Sequence, residues 1–185
     1  MMDEIKAEAE RRMKKSVESV SNELFGIRSG KATTALLDNV KVDAYGQKTP
    51  LNQVASVSVP DPKSLVVQPW DKNIVGEVVK AIQAAELGFN PQVEGNIVRV
   101  PVPPLSEERR LDLARICKKI GEEGKVAVRN IRRDANEKLK KAEKDKQISQ
   151  DEQHKGNDLI QKATDQYSKE IDELVAAKEK EIMSV

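Results

Sequence analysis

The residues best suited to chemistry in this chain are cationic. Arg129, Arg132 and Arg133, with Lys125 upstream and Asn136 downstream, lie in and beside the stretch Val126-Ala-Val-Arg-Asn-Ile-Arg-Arg-Asp-Ala-Asn136. A guanidinium is a planar, permanently charged donor that matches the oxygens of a phosphate. The i, i+3, i+4 spacing predicts that the three guanidiniums point the same way from one helix. A rigid helical rod bearing such a row suits structured RNA, which is read through shape and backbone. The competing reading is a solvated face laced by i,i+4 ion pairs, such as Glu122 with Lys118.

Other chemistries find little support. The sole histidine, His154, lies among Asp151, Glu152, Gln153 and Lys155, and no second histidine could complete a metal site with it. Cys117 falls on an apolar seam and reads as a core residue, with no Cys–His dyad expected. Gly26, Gly30 and Gly46 lack the spacing of a phosphate-cradling loop, so no nucleotide or other cofactor is implied. Glu107-Glu108 and Asp172-Glu173 read as helix-cap charge and solvated face. The single tryptophan, Trp70, reads as a core or interdomain residue at a strand end.

The elements that must position the cations follow from periodicity. Leu113, Cys117, Ile120, Gly124, Ala127, Ile131, Ala135, Leu139 and Ala142 recur at three- and four-residue steps, predicting one long helix with the basic row roughly opposite its seam. Ser106 is its expected N-cap, and the helix is expected to run to about Lys146. Ile5, Ala9, Met13, Val17, Val20, Leu24 and Ile27 predict a first helix over residues 2–29, stopped by Gly30. Ser149-Gln-Asp-Glu152 has capping-box spacing and opens a last helix with seam Ile160, Ala163, Tyr167, Ile171, Leu174 and Ile182.

All eight prolines lie between Pro50 and Pro104. Proline is excluded from helix interiors, so this middle region is a different kind of structure. Alternation predicts strands at Val40–Tyr45 and Val57–Val59, Ser64–Gln68 is a third short apolar run, Ile97–Val102 reads as a last strand, and a short helix is expected to be capped by Asn73 and stopped by Gly88. The expected architecture is α+β: a discontinuous three-helix bundle over residues 1–29 and 106–185, with a small β/α/β domain over 30–105 inserted between its first two helices. The two connecting strands, Gly30-Lys31 and Pro101 to Leu105 with Pro103 and Pro104, predict a hinge of restricted twist.

Net charge is only +1, so attraction to nucleic acid must come from local asymmetry. Residues 115–133 hold seven basic and two acidic side chains, whereas residues 150–185 hold five basic and nine acidic. Charged residues make up 34% and aromatics 3%, a helical-bundle profile rather than that of an aromatic-rich enzyme core. No apolar run is long enough to span a bilayer, and the N-terminus resembles neither signal nor transit peptide, so a cytoplasmic protein is expected.

Several long motifs then converge. Ile27-Arg-Ser-Gly-Lys-Ala32, Leu36-Leu-Asp38, Tyr45-Gly46, Leu87-Gly-Phe-Asn-Pro91, the run Gly95 to Arg110 and Val126 to Asn136 resemble, in order and spacing, the bacterial ribosome recycling factor family over essentially the whole chain. Lys31 stands where that family commonly has arginine, Thr33-Thr34 replaces a common Ser-Pro, and Trp70 replaces a frequent phenylalanine. The resemblance implies an L-shaped molecule that performs no bond chemistry. It implies a monomer that binds the ribosome between its subunits, with Arg129, Arg132 and Arg133 on large-subunit RNA. It also implies that elongation factor G, using GTP, acts on the bound factor so that the subunits separate. Arg28, beside Gly30, would serve near the hinge. Two other classes stay open on the residues alone: a coiled-coil adaptor or co-chaperone, and an enzyme with an unrecognised site in the middle domain.

Overall fold

A computed structural model describes residues 1–184. In chain order the elements are α1 (Met2–Phe25), β1 (Lys41–Ala44), β2 (Gln47–Pro50), β3 (Ala55–Asp61), β4 (Ser64–Pro69), α2 (Val75–Ala84), β5 (Gln92–Glu94), β6 (Ile97–Pro101), α3 (Glu107–Lys144) and α4 (Gln150–Met183). The chain divides into two compact units, Met1–Arg28 with Glu107–Ser184, and Ser29–Ser106. The fold class is α+β.

In the first unit α1, α3 and α4 each pack against the other two. Most of the stability of such long helices comes from the apolar edges they bury together. On α1 those are Ile5, Ala9, Met13, Val20 and Leu24; on α4, Ile160, Ala163, Ile171, Val175 and Ile182 among others. On α3 the buried line is Leu113, Cys117, Gly121, Gly124, Val128, Ile131, Ala135, Leu139 and Ala142. This corrects two expected seam positions, since Ile120 and Ala127 are only half-buried and their neighbours Gly121 and Val128 take the core places. Tyr167 and Leu174 of α4, and Val17 of α1, likewise sit at the margin of the core. Burial also raises the Cys117 thiol pKa, as befits a core residue.

The helices meet at glycines. A Cβ on Gly124 would stand 2.3 Å from Val20 Cγ2, one on Gly121 2.5 Å from Val175 Cγ2, and one on Gly156 2.8 Å from Leu139 Cδ1. Each glycine therefore serves as a hole for a branched side chain of a neighbouring helix. The α3–α4 turn is equally determined. Lys146 takes φ 57°, its N–H donates to the Glu143 carbonyl at 2.9 Å, and the Gln147 N–H donates to the Ala142 carbonyl at 2.8 Å. That is a Schellman close with lysine in the left-handed place. Ser149 Oγ then accepts from the Glu152 N–H at 3.1 Å, and Glu152 accepts from the Ser149 N–H at 2.7 Å, completing the expected capping box.

α1 ends at Phe25 rather than near Ser29. The Gly26 N–H donates to the Asn22 carbonyl, and the Ile27 N–H to that of Leu24, so the last turn tightens before the chain leaves the helix.

In the second unit β1 and β2 form a hairpin through Tyr45 (φ 53°) and Gly46 (φ 77°), while β3, β4, β6 and β5 form an antiparallel sheet in the spatial order β3-β4-β6-β5. The register pairs Val67 with Val57 on one side and Val98 on the other. Its core joins Val42, Leu65, Val67, Val98 and Val100 from the strands to Val78 and Ile82 of α2. Asp71, not Asn73, provides the cap before α2: its carboxylate accepts from the Asn73 N–H at 2.9 Å and also from the Tyr45 hydroxyl. α2 stops at Ala84, ahead of Gly88, with Glu86 already at φ 51°. Trp70 is 68% exposed, correcting its expected place in a core.

The glycine contacts set up a direct test. Gly124→Ala removes a helix-propensity cost of about 1 kcal/mol, but overpacking against Val20 costs about 1–3 kcal/mol. The variant should melt below the parent by several degrees in circular dichroism. Val20→Ala in the same chain should recover part of the loss; an unchanged or higher Tm for Gly124→Ala alone would show that the helices can move apart freely.

Candidate nucleic-acid interface

The cations of α3 are not a single row. At about 100° per residue, Arg133 lies about 160° from mid-seam Ala135, Arg129 about 120° and Arg132 about 60°. Arg133 is exposed and has no hydrogen-bond or ion-pair partner among the described residues. Arg132 instead lies on the flank of the seam, half-buried, and its Nη1 donates to Gln161 Oε1 of α4 at 3.2 Å. Gln161 in turn donates to Asp165 at 2.9 Å. The expectation that all three guanidiniums point the same way is thus corrected: Arg132 and Arg133 diverge by about 100° because they are adjacent in a helix.

Lys125 and Arg129 share an anion. Glu122 Oε2 lies 3.4 Å from Lys125 Nζ and Glu122 Oε1 3.2 Å from Arg129 Nη1. Lys125 also meets Asp172 of α4 at 3.0 Å. Hydrogen bonds from Lys125 and then Arg129 hold the Glu122 carboxyl below the usual range, and the hydrogen bond to Asp172 raises Lys125. The anticipated Glu122–Lys118 pair gives way to these. Lys125 is 24% exposed, so part of its stem lies in the helix interface, and Arg129 is 43% exposed. Asn136 is half-buried, and its Oδ1 is buried without a hydrogen bond. That oxygen faces inward and does not extend the outer ridge.

Sequence reasoning missed Gln161 and Asp172. No signal in either residue points to the basic helix, because their role depends on the antiparallel register of α3 against α4. Arg115, Lys118 and Lys140 continue the exposed basic side, with Arg115 meeting Asp112 at 3.4 Å. His154 is exposed, and among the described residues no three His, Cys, Asp or Glu side chains are grouped to hold a metal ion.

Of the expected hinge residues, Arg28 ends a segment of the first unit and the others belong to the second. Arg28 is the exposed last residue of its segment, and Ser29 beside it is buried. Gly30 takes φ +82°, where a side chain is strained, and a Cβ there would lie 3.0 Å from Leu105 Cγ. Lys31 is half-buried, and Ala32 next to it donates to the Pro62 carbonyl at 2.9 Å. Pro101 is the last residue of β6, paired with Ser64, and Val102 donates to the Lys63 carbonyl at 2.8 Å. Pro101 is therefore part of the sheet, and the strand becomes free of it only at exposed Pro103 and Pro104.

The arrangement is that of a two-unit α+β protein whose exposed chemistry is ionic, on a bundle of long helices. None of those helices, among the described residues, is long and apolar enough to cross a membrane. The chain belongs to the ribosome recycling factor family: the family model for ribosome recycling factor matches residues 20–183. It is 52% identical over 185 residues to the ribosome-recycling factor of Symbiobacterium thermophilum, covering all of both chains. Against that of Ralstonia pickettii it is 53% identical over 182 residues, or 98% of each. A solution structure of the ribosome recycling factor superposes with a TM-score of 0.70 at 48% identity, covering 100% of this chain and 98% of that one. The T. thermophilus ribosome recycling factor, in a study that places it and the E. coli elongation factor G on the E. coli post-termination complex, gives a TM-score of 0.61 at 46% identity over 98% of each chain.

Position on the helix predicts different stabilities for neighbouring arginines. Arg132→Ala loses its apolar stem contacts and the Gln161 hydrogen bond and should cost about 0.5–1 kcal/mol. Arg133→Ala should stay within about 0.5 kcal/mol of the parent. Denaturant titration of the two variants checks this, and equal values would return both side chains to a uniformly solvated face.

Proposed function

We propose that this chain recycles ribosomes: it binds the post-termination ribosome and, together with elongation factor G and GTP, promotes separation of the subunits. The observation that carries this is similarity over 98% of both chains, at 46% identity, to a factor placed with elongation factor G on a post-termination complex. The factor itself is not an enzyme; its work is binding and transmission of force, and the GTPase activity belongs to its partner. Its place is the cytoplasm, where ribosomes work.

The bundle of Met1–Arg28 with Glu107–Ser184 is the RNA-binding part. Its ridge of Arg129, Arg132, Arg133 and Lys125, with Asn136 at its edge, meets large-subunit RNA. Residues 30–105 form the domain on which elongation factor G acts. The chain passes between them at Arg28, Gly30 and Lys31 and again at Pro101, Pro103 and Pro104. Glycine permits backbone angles that other residues resist, and proline removes freedom, so movement is confined to few bonds.

The reading is tested by light scattering from post-termination ribosomes mixed with elongation factor G and GTP. Adding this chain should accelerate subunit separation; no acceleration would overturn the assignment. Arg129→Ala, Arg132→Ala and Arg133→Ala together should weaken ribosome binding and make the slope of log affinity against log salt shallower, by about one unit or less per lost phosphate contact. Unchanged affinity and slope would make the ridge an ordinary solvated face. Gly30→Ala places a side chain at positive φ against Leu105. It should slow subunit separation while leaving ribosome affinity and the melting of the bundle close to the parent's. Separation at the parent rate would remove Gly30 from the hinge.

A further inference from the structure

Glu122 is the one acidic residue that enters the cationic side of α3 and binds two of its cations at once. Its two oxygens go to different partners, Oε1 to Arg129 and Oε2 to Lys125, at 3.2 and 3.4 Å. One anion bridging a guanidinium and an ammonium through separate oxygens is the geometry that two oxygens of a phosphate would adopt. Lys125, Glu122 and Arg129 stand at i, i−3 and i+4 around Lys125, so helix geometry brings all three to one side. Asp172 adds a second negative charge to Lys125 from α4. The four side chains sum to zero, and the free positive charge of this stretch is left to Arg133 and Arg132.

We propose that Glu122 is an internal stand-in for an RNA phosphate: it holds Arg129 and Lys125 in their binding geometry, and RNA must displace it. The proposal rests on the RNA-binding reading of the ridge. Two consequences follow from charge alone. Arg133, which has no carboxylate to give up, makes the first contact, and Arg129 and Lys125 join only when further phosphates arrive at the spacing of a nucleic-acid backbone. An isolated anion competes poorly with a tethered carboxylate, so the ridge is selective for densely arrayed phosphate. The same carboxylate re-forms its bridge as RNA leaves, which weakens the complex and speeds release, a useful property in a factor that must act repeatedly. A glutamate carboxylate is anionic at neutral pH, and its hydrogen bonds from Lys125 and Arg129 favour the charged form further.

The test is Glu122→Gln in the full chain, with Glu123→Gln as control. Both delete one negative charge from the same turn. Glu123 faces the other side of α3, however, and meets only Lys119, at 4.0 Å. Binding of each protein to isolated large ribosomal subunits is measured over a salt series, with circular-dichroism melting as the check on folding. Glu122→Gln should tighten binding by roughly three- to tenfold at low salt, steepen the log–log salt slope by up to about one unit, and slow multiple-turnover recycling. Glu123→Gln should change each quantity much less. Equal effects of the two variants would reduce the result to general net charge and overturn the proposal, and weaker binding by Glu122→Gln would make the residue a positioning group only. The alanine triple of the ridge separates the two levels. If it leaves binding intact, the RNA reading falls and this proposal with it. If it weakens binding while Glu122→Gln does nothing, only the stand-in is wrong.

Discussion

The close approach of three helices at glycine is the constraint on which the rest of the bundle depends. Gly121, Gly124 and Gly156 have no Cβ because Val175, Val20 and Leu139 occupy that space. Interiors are packed too tightly for such contacts to slide by a methyl group without strain. Once Val20 is seated over Gly124 and Val175 over Gly121, the axial register of all three helices is set. Register then decides which α4 side chains meet the basic helix: Gln161 opposite Arg132, and Asp172 opposite Lys125. The ionic contacts are thus a consequence of the packing along the seam they flank.

That dependence gives the surface two kinds of cation. Arg133 projects into solvent with no partner among the described residues. Arg132, Lys125 and Arg129 are held by Gln161, Asp172 and Glu122. Exposed ion pairs contribute little to folding, so the value of these contacts lies in orientation. Long side chains that are already ordered lose less entropy when they bind. The near-zero net charge of the whole chain complements this arrangement, since the acidic α4 balances the basic α3 without covering its outer side.

The long helices were legible because each carries a strong three-and-four repeat with chemical punctuation, most clearly the Ser149–Glu152 capping box. The phase of the third helix was not fully legible. Val126, Ala127 and Val128 are consecutive apolar residues, so periodicity alone cannot say which faces inward, and hydrophobic pattern favours Ile120 over Gly121 although the close approach of Val175 requires the glycine. β2 and β5 were missed because both are short and lie at sheet or hairpin edges, with Gln47, Lys48, Gln92 and Glu94 presenting polar side chains to solvent. Asp71 was missed as a cap because a turn of 3-10 helix precedes α2 and shifts the start upstream. In the candidate interface the residue types were legible and their directions were only partly so. Arg132 joins the flank through a partner 29 positions away, and no local pattern reports that distance.

The bundle is closed by a helix made long before its partners. α1 finds its core positions only against α3 and α4, and the whole second unit is synthesised in between. At translation rates of about 5–20 residues per second, α1 is exposed for on the order of ten seconds before α4 is complete. During that time Ile5, Met13, Val20 and Leu24 have no native surface to cover them, whereas α3 and α4 are joined by a tight turn and can zip together through local contacts. The N-terminal helix therefore has to keep its apolar edge uncovered until the α3–α4 hairpin is available to receive it. A factor that frees ribosomes for new synthesis is thus one whose own birth leaves its first helix waiting for its last.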